Sequence, residues 1–198
     1  MAIIKPFKAV RPLRDKVGLF ATRTFISYSR KVLKDKLENN PYTFLQIINP
    51  EFDKNKKIQT KKNYKLIKKK YLEFLNNKII QKDKKPSYYL YQSNQNNIDY
   101  TGIIAAASTI EYLNGSIKKH EKTINKREKL FSEYLSKIGF NADPVLLAYK
   151  SNKEIQKIIY LVQKRRAEYE FTTSDKTLHK LWVISNNKEI QNISNHFK

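Results

Sequence analysis

Cysteine is absent from this chain of 198 residues, and histidine occurs only three times. Disulfides, cysteine-based zinc sites and a thiol nucleophile are therefore excluded. The histidines are dispersed, and His120-Glu121 lacks the second histidine of a zincin helix because position 124 is Ile. The longest strictly aliphatic stretch, residues 103–107, is far too short to cross a membrane, and the N-terminus lacks a signal-peptide layout. We expect a cytoplasmic protein with no membrane partner.

Acidic residues are scarce, since 18 Asp and Glu stand against 40 Lys and Arg and leave a net charge of +22. Such a charge suits a nucleic-acid partner. However, 33 of the 40 cations are lysine, whereas base readers and phosphate clamps favour the planar fork of arginine. Lys, Asn and Ile make up 73 residues, and their A/T-rich codons explain the profile without a selected partner. Nucleic acid is therefore the disfavoured partner.

Hydrophobic periodicity predicts interleaved helices and strands. The clearest helix covers residues 63–77, where apolar side chains repeat at intervals of three and four. Other helices are predicted over residues 28–38, 108–114, 124–138, 153–166 and 187–197. Single strands are predicted over residues 2–12, 43–48 and 144–149, and hairpins over 88–92 with 100–106 and over 169–173 with 178–185. We expect an α+β fold with a mixed, largely antiparallel sheet and flanking helices.

The densest group of reactive side chains lies between Ile117 and Arg127, which includes His120, Glu121 and Thr123. Helical spacing places Arg127 on the apolar stripe of the following helix, and a charge there must be paired or meet a ligand. The segment suits a small phosphorylated or carboxylated molecule, with His120 or Glu121 as general acid/base and Thr123 and Arg127 as binding groups. Alternatively, Arg127 pairs with a nearby glutamate and His120 is structural.

A second candidate anion site comprises Arg23, Thr24, Ser27, Ser29 and Arg30 at the predicted start of a helix. Free backbone N–H groups, hydroxyls and guanidinium groups together favour phosphate. The alternative is ordinary helix capping by Ser27 or Ser29 with solvated arginines.

Two further groups are more typical of structural roles. Strand alternation places His179 on one face with Leu181 and Val183, which predicts a partly buried structural histidine. The tyrosines at positions 88, 89 and 91 fit core and cross-strand packing better than base stacking.

Eight strings along the chain carry a resemblance to a known family. They are I-K-P-F-K-A-V-R-P (4–12), A-T-R-T-F-I-S-Y-S-R (21–30), N-P-Y-T-F-L-Q-I-I-N-P-E-F (40–52), P-S-Y-Y-L-Y (86–91), T-G-I-I-A (101–105), I-K-K-H-E-K-T (117–123), G-F-N-A-D-P-V-L-L-A-Y (139–149) and Y-E-F-T-T-S-D (169–175). In this order they resemble the N-terminal half of the bacterial domain of unknown function 1015, in its Bacteroidetes-type form. Arg11 lies in the first string, and we expect it to join the phosphate-binding residues.

The resemblance implies a function in phosphoryl transfer. Similar proteins tend to lie beside serine-biosynthesis genes and carry a D-G-H-H-R stretch like the phosphate-binding motif of ParB-like and sulfiredoxin-like proteins, some of which are free-serine kinases. This implies transfer involving serine or phosphoserine, with a nucleotide or pyrophosphate and magnesium as candidate donor and metal. No metal ligand is identifiable from the sequence.

The present sequence contains no D-G-H-H-R stretch. We therefore expect residues 1–198 to form a single α+β domain, the N-terminal portion of a longer family protein, that carries half of the site and is inactive alone. We also expect its C-terminal helix to expose a face for association. Two other functions stay open, namely a small-molecule-binding or regulatory domain without turnover and a basic nucleic-acid-associated protein.

Overall fold

The computed structural model describes residues 2–23, 27–49, 64–118, 125–142 and 144–197, with only the backbone of residues 126 and 127. The helices are α1 (Val17–Phe20), α2 (Arg30–Asn39), α3 (Leu45–Ile48), α4 (Tyr64–Asn76), α5 (Thr109–Leu113), α6 (Asn125–Ile138), α7 (Lys153–Gln163) and α8 (Asn187–His196). The strands are β1 (Ile4–Lys5), β2 (Val10–Pro12), β3 (Ile80–Lys82), β4 (Tyr88–Gln95), β5 (Ile98–Ile104), β6 (Ala106–Ala107), β7 (Tyr169–Thr172) and β8 (Leu178–Ile184). The fold is α+β, as the sequence predicts.

The chain divides into two compact units, each assembled from separate stretches. Unit 1 contains Met1–Arg11, Lys82–Lys122 and Asp143–Lys198, and unit 2 contains Pro12–Gln81 and Thr123–Ala142. The assignment of residues 1–198 to a single domain stays a prediction. No helix among the described residues is both long and apolar enough to cross a bilayer.

Unit 1 is built on a four-stranded antiparallel sheet in the order β5-β4-β8-β7. Because side chains alternate along a strand, one face of this sheet carries Tyr88, Leu90, Trp182 and Ile184. These side chains pack with the apolar residues of α7 and α8 into one core. Strands β1 and β6 form a separate two-stranded antiparallel sheet.

Unit 2 has its own apolar core, built mainly by helices. Ile47 of α3, Ile67 and Phe74 of α4, Ile80 of β3 and Ile138 of α6 are all buried and pack together. Aromatic rings surround this cluster, and Tyr71 stacks on Phe140 with 4.4 Å between ring centroids. Each unit therefore has a separate hydrophobic cluster that stabilises it.

Predictions based on long periodic patterns and on turn residues are confirmed. Helix α4 spans Tyr64–Asn76 within the predicted 63–77, and α6 ends before Gly139, whose φ of +82° suits a residue without Cβ. The β4–β5 hairpin turns at Asn96 and Asn97, with φ values of 53° and 63°. Asparagine tolerates this left-handed region, which two-residue hairpin loops require.

Two predicted strands are wrong. Residues 45–48 form α3, with Leu45 and Ile47 fully buried, because a short apolar run is compatible with either a buried strand or a buried helical turn. Residues 144–149 belong to no strand of the described sheets, and the Leu146 side chain is 96 % exposed. A short run of apolar residues such as Val, Leu and Tyr suits a strand, but a strand forms only where a neighbouring strand offers hydrogen bonds.

Candidate functional site

The structure places the predicted site residues in different parts of the chain. His120, Glu121 and Thr123 lie outside the described residues, and of Arg127 only the backbone in α6 is described. The second cluster lies in unit 2 at the start of α2, whereas Arg11 lies in unit 1. The clearest candidate anion site is therefore the beginning of α2, contributed by Arg23, Ser27, Ser29 and Arg30.

Ser29 caps α2. Its Oγ accepts a hydrogen bond from the backbone N–H of Val32 at 3.4 Å, and its backbone is extended, as expected of a residue just outside a helix. Arg30 is the first helical residue, and the first turn contains no acidic side chain. The capping interpretation of Ser29 is thus confirmed, and it leaves the positive end of the helix dipole flanked by cations.

Tyr28 links the preceding segment to α2. The Arg23 guanidinium lies 5.1 Å from the centre of the Tyr28 ring, and the Lys36 ammonium lies 5.5 Å from it. The Tyr28 hydroxyl accepts a hydrogen bond from the Arg23 backbone N–H at 3.0 Å and shares another with the Thr22 hydroxyl at 2.9 Å. Burial raises the pKa of Tyr28, but these hydrogen bonds together lower it by more, so the net pKa lies below its ordinary value.

These contacts hold a cation near the beginning of α2. Arg23 is positioned by Tyr28, and Ser27, Ser29 and Arg30 are all exposed. A helix N-terminus attracts negative charge through its backbone N–H groups, and guanidinium groups bind phosphate or carboxylate bidentately. The arrangement suits an exposed site for a small anion.

Arg11 is bound instead by acidic groups of unit 1. Its Nε donates to both carboxylate oxygens of Asp83 at 2.9 and 3.0 Å, and its Nη1 donates to Glu168 at 2.8 Å and to the Tyr169 hydroxyl at 2.7 Å. Burial lowers the pKa of Arg11, but these hydrogen bonds raise it more, so the guanidinium stays charged. A phosphate at Arg11 would have to compete with both carboxylates, and the contacts as they stand fit a structural ion pair.

Tyr89 extends the Arg11 network. Its hydroxyl donates to Asp83 Oδ2 at 2.6 Å and accepts from the Ala9 backbone N–H at 3.0 Å. Burial, together with the hydrogen bond to Asp83, raises the pKa of Tyr89 to about 12. The phenol therefore remains protonated at neutral pH and ties the N-terminal segment to β4.

His179 takes part in a hydrogen-bonded chain that spans three strands. Its Nδ1 lies 2.7 Å from the Tyr91 hydroxyl, and its Nε2 lies 3.1 Å from the Thr173 hydroxyl. The Thr173 hydroxyl donates to Asp175 at 2.5 Å, so we assign the proton of the imidazole to Nε2. Burial lowers the pKa of His179, and Asp175 opposes this only in part.

The sequence predicts a half-buried structural His179, and the structure places it so, on the face opposite the unit 1 core. The sequence analysis did not predict the two hydroxyl partners of His179. Tyr91 is 88 residues away in the chain, and only the register of the strands brings it close to His179. Tyr88 and Tyr89 are buried, in agreement with the predicted packing role.

A comparison with known protein families matches residues 4–198 to the family described as "Protein of unknown function (DUF1015)". The chain belongs to this family. The match covers nearly the whole chain and confirms the resemblance carried by the eight strings, whereas the restriction to an N-terminal half stays a prediction. Neither the curated proteins nor the solved structures contain a significant match. Membership of DUF1015 names no activity, so the functional argument depends on the residues of this chain.

The described residues of this DUF1015 protein contain no group of three His, Cys, Asp or Glu side chains that could hold a metal ion. We therefore assign no residue to the magnesium that the resemblance implies. The expected association through the C-terminal helix stays a prediction. In the structure, Ile193 of α8 and the adjacent Phe197 are buried in the unit 1 core, whereas the most exposed apolar side chains include Leu113 and Leu146.

Proposed function

We propose that this DUF1015 protein is a cytoplasmic protein that binds a small phosphorylated amino acid, with phosphoserine as the leading candidate, and acts in phosphoryl transfer involving serine. The resemblance of the eight strings to the family supports phosphoryl transfer as the reaction. The arrangement at the beginning of α2 supports the ligand, because a capped helix N-terminus that begins with Arg30 and has Arg23 on the ring of Tyr28 attracts a phosphate group.

The electrostatics of α2 are the observation that carries the proposal. An acidic side chain in the first turn stabilises a helix, and a basic one there destabilises it, by about 0.3–1 kcal/mol each. Helix α2 has no acid in its first turn and begins with Arg30-Lys31, and Arg23 lies nearby on Tyr28. A bound dianion would offset the positive charge of the helix dipole, Arg30 and Lys31 and would so stabilise the beginning of α2.

Catalysis in this proposal is assigned to residues 120–127, the last three of which begin α6. The serine hydroxyl attacks the terminal phosphoryl group of ATP or of pyrophosphate, and His120 or Glu121 accepts the hydroxyl proton. Thr123 and Arg127 bind the transferred phosphoryl group, and ADP or phosphate leaves. Replacing His120 and Arg127 separately by alanine in the full-length protein tests this assignment. Unchanged turnover in both variants would contradict it.

Binding itself is tested by calorimetry with phosphoserine and serine. We expect phosphoserine to bind and serine to bind at least tenfold more weakly, because charge-assisted hydrogen bonds to the phosphate contribute about 1.5–3 kcal/mol each. The Arg23→Gln/Arg30→Gln variant should lose at least tenfold in phosphoserine affinity. Arg166→Gln, an exposed arginine of unit 1, is the control and should bind as the wild type does.

A domain that binds without turnover is the alternative. Because residues 1–198 are expected to carry half of the site, the full-length protein is the one incubated with serine and either ATP with magnesium or pyrophosphate with magnesium, and phosphoserine is the measured product. Binding of phosphoserine without any product from either donor would support the regulatory alternative. Absence of binding and of product would contradict both.

A further inference from the structure

The outward face of α4 carries a stripe of lysines. Ile67 and Phe74 are buried on the inward side of this helix, whereas Lys65, Lys68 and Lys69 are exposed on the outward side. Their spacing of three and four residues places the three ammonium groups on neighbouring turns of one face. This face borders an open depression of about 410 Å³, which Leu72 and Asn76 also line.

The charge of this stripe is poorly compensated. Among the residues that the structure describes, Glu73 is the one acid that lines the depression; its carboxylate binds Lys70 at 2.8 Å and also feels the charge of Lys69. On α6, by contrast, Lys137 pairs with Glu133 at 2.5 Å. Uncompensated like charges repel one another, and they attract a polyanion strongly at low ionic strength.

The surrounding unit strengthens the field. Unit 2 contains 21 Lys and Arg against 8 Asp and Glu, a net charge of +13, whereas unit 1 contains 19 against 10, a net charge of +9. Codon composition explains why the cations are lysines. Burial of Ile67 and Phe74 places the polar residues of α4 on its outward side, and three of these are lysines on neighbouring turns.

We propose that the Lys65–Lys68–Lys69 stripe of α4 binds the sugar-phosphate backbone of nucleic acid without reading its sequence. Lysine lacks the bidentate fork by which arginine clamps a phosphate or reads a base, but its point charge on a flexible stem still attracts backbone phosphates, so binding here would be independent of sequence. A membrane surface fits less well, because a helix that lies in a bilayer presents an apolar face, and Leu72 is the one large apolar side chain on this stripe. This surface is independent of the phosphoserine site proposed above.

The test is fluorescence anisotropy with a labelled DNA duplex of mixed sequence over a series of salt concentrations. The variant Lys65→Gln/Lys68→Gln/Lys69→Gln is compared with Lys153→Gln/Lys157→Gln/Lys164→Gln, which removes the same charge from exposed positions in and just after α7. Circular dichroism confirms that both variants fold. Each lost phosphate contact should reduce the slope of log K against log salt by about 0.9, so the α4 variant should lose about 2–3 in slope and the control little.

Three results would overturn the proposal. Absence of duplex binding by the wild type at low salt would exclude a backbone-binding surface. Equal loss in both triple variants would show that net charge alone matters. Binding to vesicles with anionic phosphatidylglycerol that equals duplex binding and is lost in the same α4 variant would identify the stripe as a general anionic surface. Selective loss in the α4 variant, restricted to duplex, supports it.

Discussion

Removal of the Arg11 guanidinium should destabilise unit 1 strongly. Arg11→Met keeps much of the apolar stem but deletes the donors that bind Asp83, Glu168 and Tyr169. The side chains of Arg11 and Asp83 are only 15 % and 11 % exposed, so the Asp83 carboxylate loses its cation where water replaces it poorly. Glu168, at 33 % exposed, is more easily solvated.

The expected loss lies between two known limits. Breaking a fully buried ion pair costs about 3–5 kcal/mol, and losing an exposed pair costs about 0–1 kcal/mol. The Tyr89 hydroxyl still donates to Asp83 in the variant and limits the loss. We therefore expect Arg11→Met to lower the free energy of unfolding by about 2–4 kcal/mol.

Urea denaturation followed by tryptophan fluorescence measures this loss. Trp182 is the single tryptophan, and it is 4 % exposed in the core of unit 1. Arg166→Met, at an exposed position, is the control and should stay within about 0.5 kcal/mol of the wild type. Combining Arg11→Met with Asp83→Asn should give a coupling energy of about 0.5–3 kcal/mol. If Arg11→Met lowered the free energy of unfolding no more than the control does, the ion pairs of Arg11 would make no net contribution to stability.

Two further predictions concern unit 1. Burial lowers the folded-state pKa of His179 below its unfolded value of about 6.5, so the stability linked to this group is complete above pH 6.5 and is lost as the pH falls from there toward the folded-state pKa. Urea titrations between pH 7.5 and 5 should therefore show a shallower decline in the free energy of unfolding for His179→Gln than for the wild type. Identical declines in the two proteins would contradict the burial of His179. Asn97 has a φ of 63°, in the left-handed region that a branched side chain disfavours. Asn97→Val should therefore lower the free energy of unfolding by about 1–2 kcal/mol, whereas Asn97→Gly should not. Equal stability of the two variants would contradict the left-handed conformation of Asn97.

Local signals in the sequence predict much of the secondary structure. The amphipathic repeat of α4, the capping Ser29 of α2 and the glycine that ends α6 each act within a few residues. Asn96 and Asn97 likewise indicate the hairpin, because the turn involves only these two residues and the paired residues on either side of them. Such interactions can be predicted from the sequence because the residues that make them are neighbours in the chain.

Contacts between distant residues were harder to predict. Arg11 reaches Glu168 across 157 positions, and nothing in its own string identifies a carboxylate as its partner. The strand prediction for residues 144–149 failed for a related reason, since strand formation depends on a neighbour that the segment itself does not specify. The two apolar clusters, each built from separate stretches, also become visible only once the chain is folded.

The candidate site was predicted in part. Sequence reasoning identified the basic, hydroxyl-rich start of α2, and the structure adds Tyr28, whose ring positions Arg23. Helix-capping residues and the spacing of the cations predict the first of these features, whereas they give no indication of the Arg23–Tyr28 contact.

The most direct test of the proposed function is a phosphoserine titration of the isotope-labelled chain followed by amide chemical shifts. We expect saturable shifts in the backbone amides of Arg30 and Lys31, in the first turn of α2, that serine does not produce and that vanish in Arg23→Gln/Arg30→Gln. Saturable shifts confined to other residues, or no shift at millimolar phosphoserine, would contradict the assignment of the phosphate site to α2.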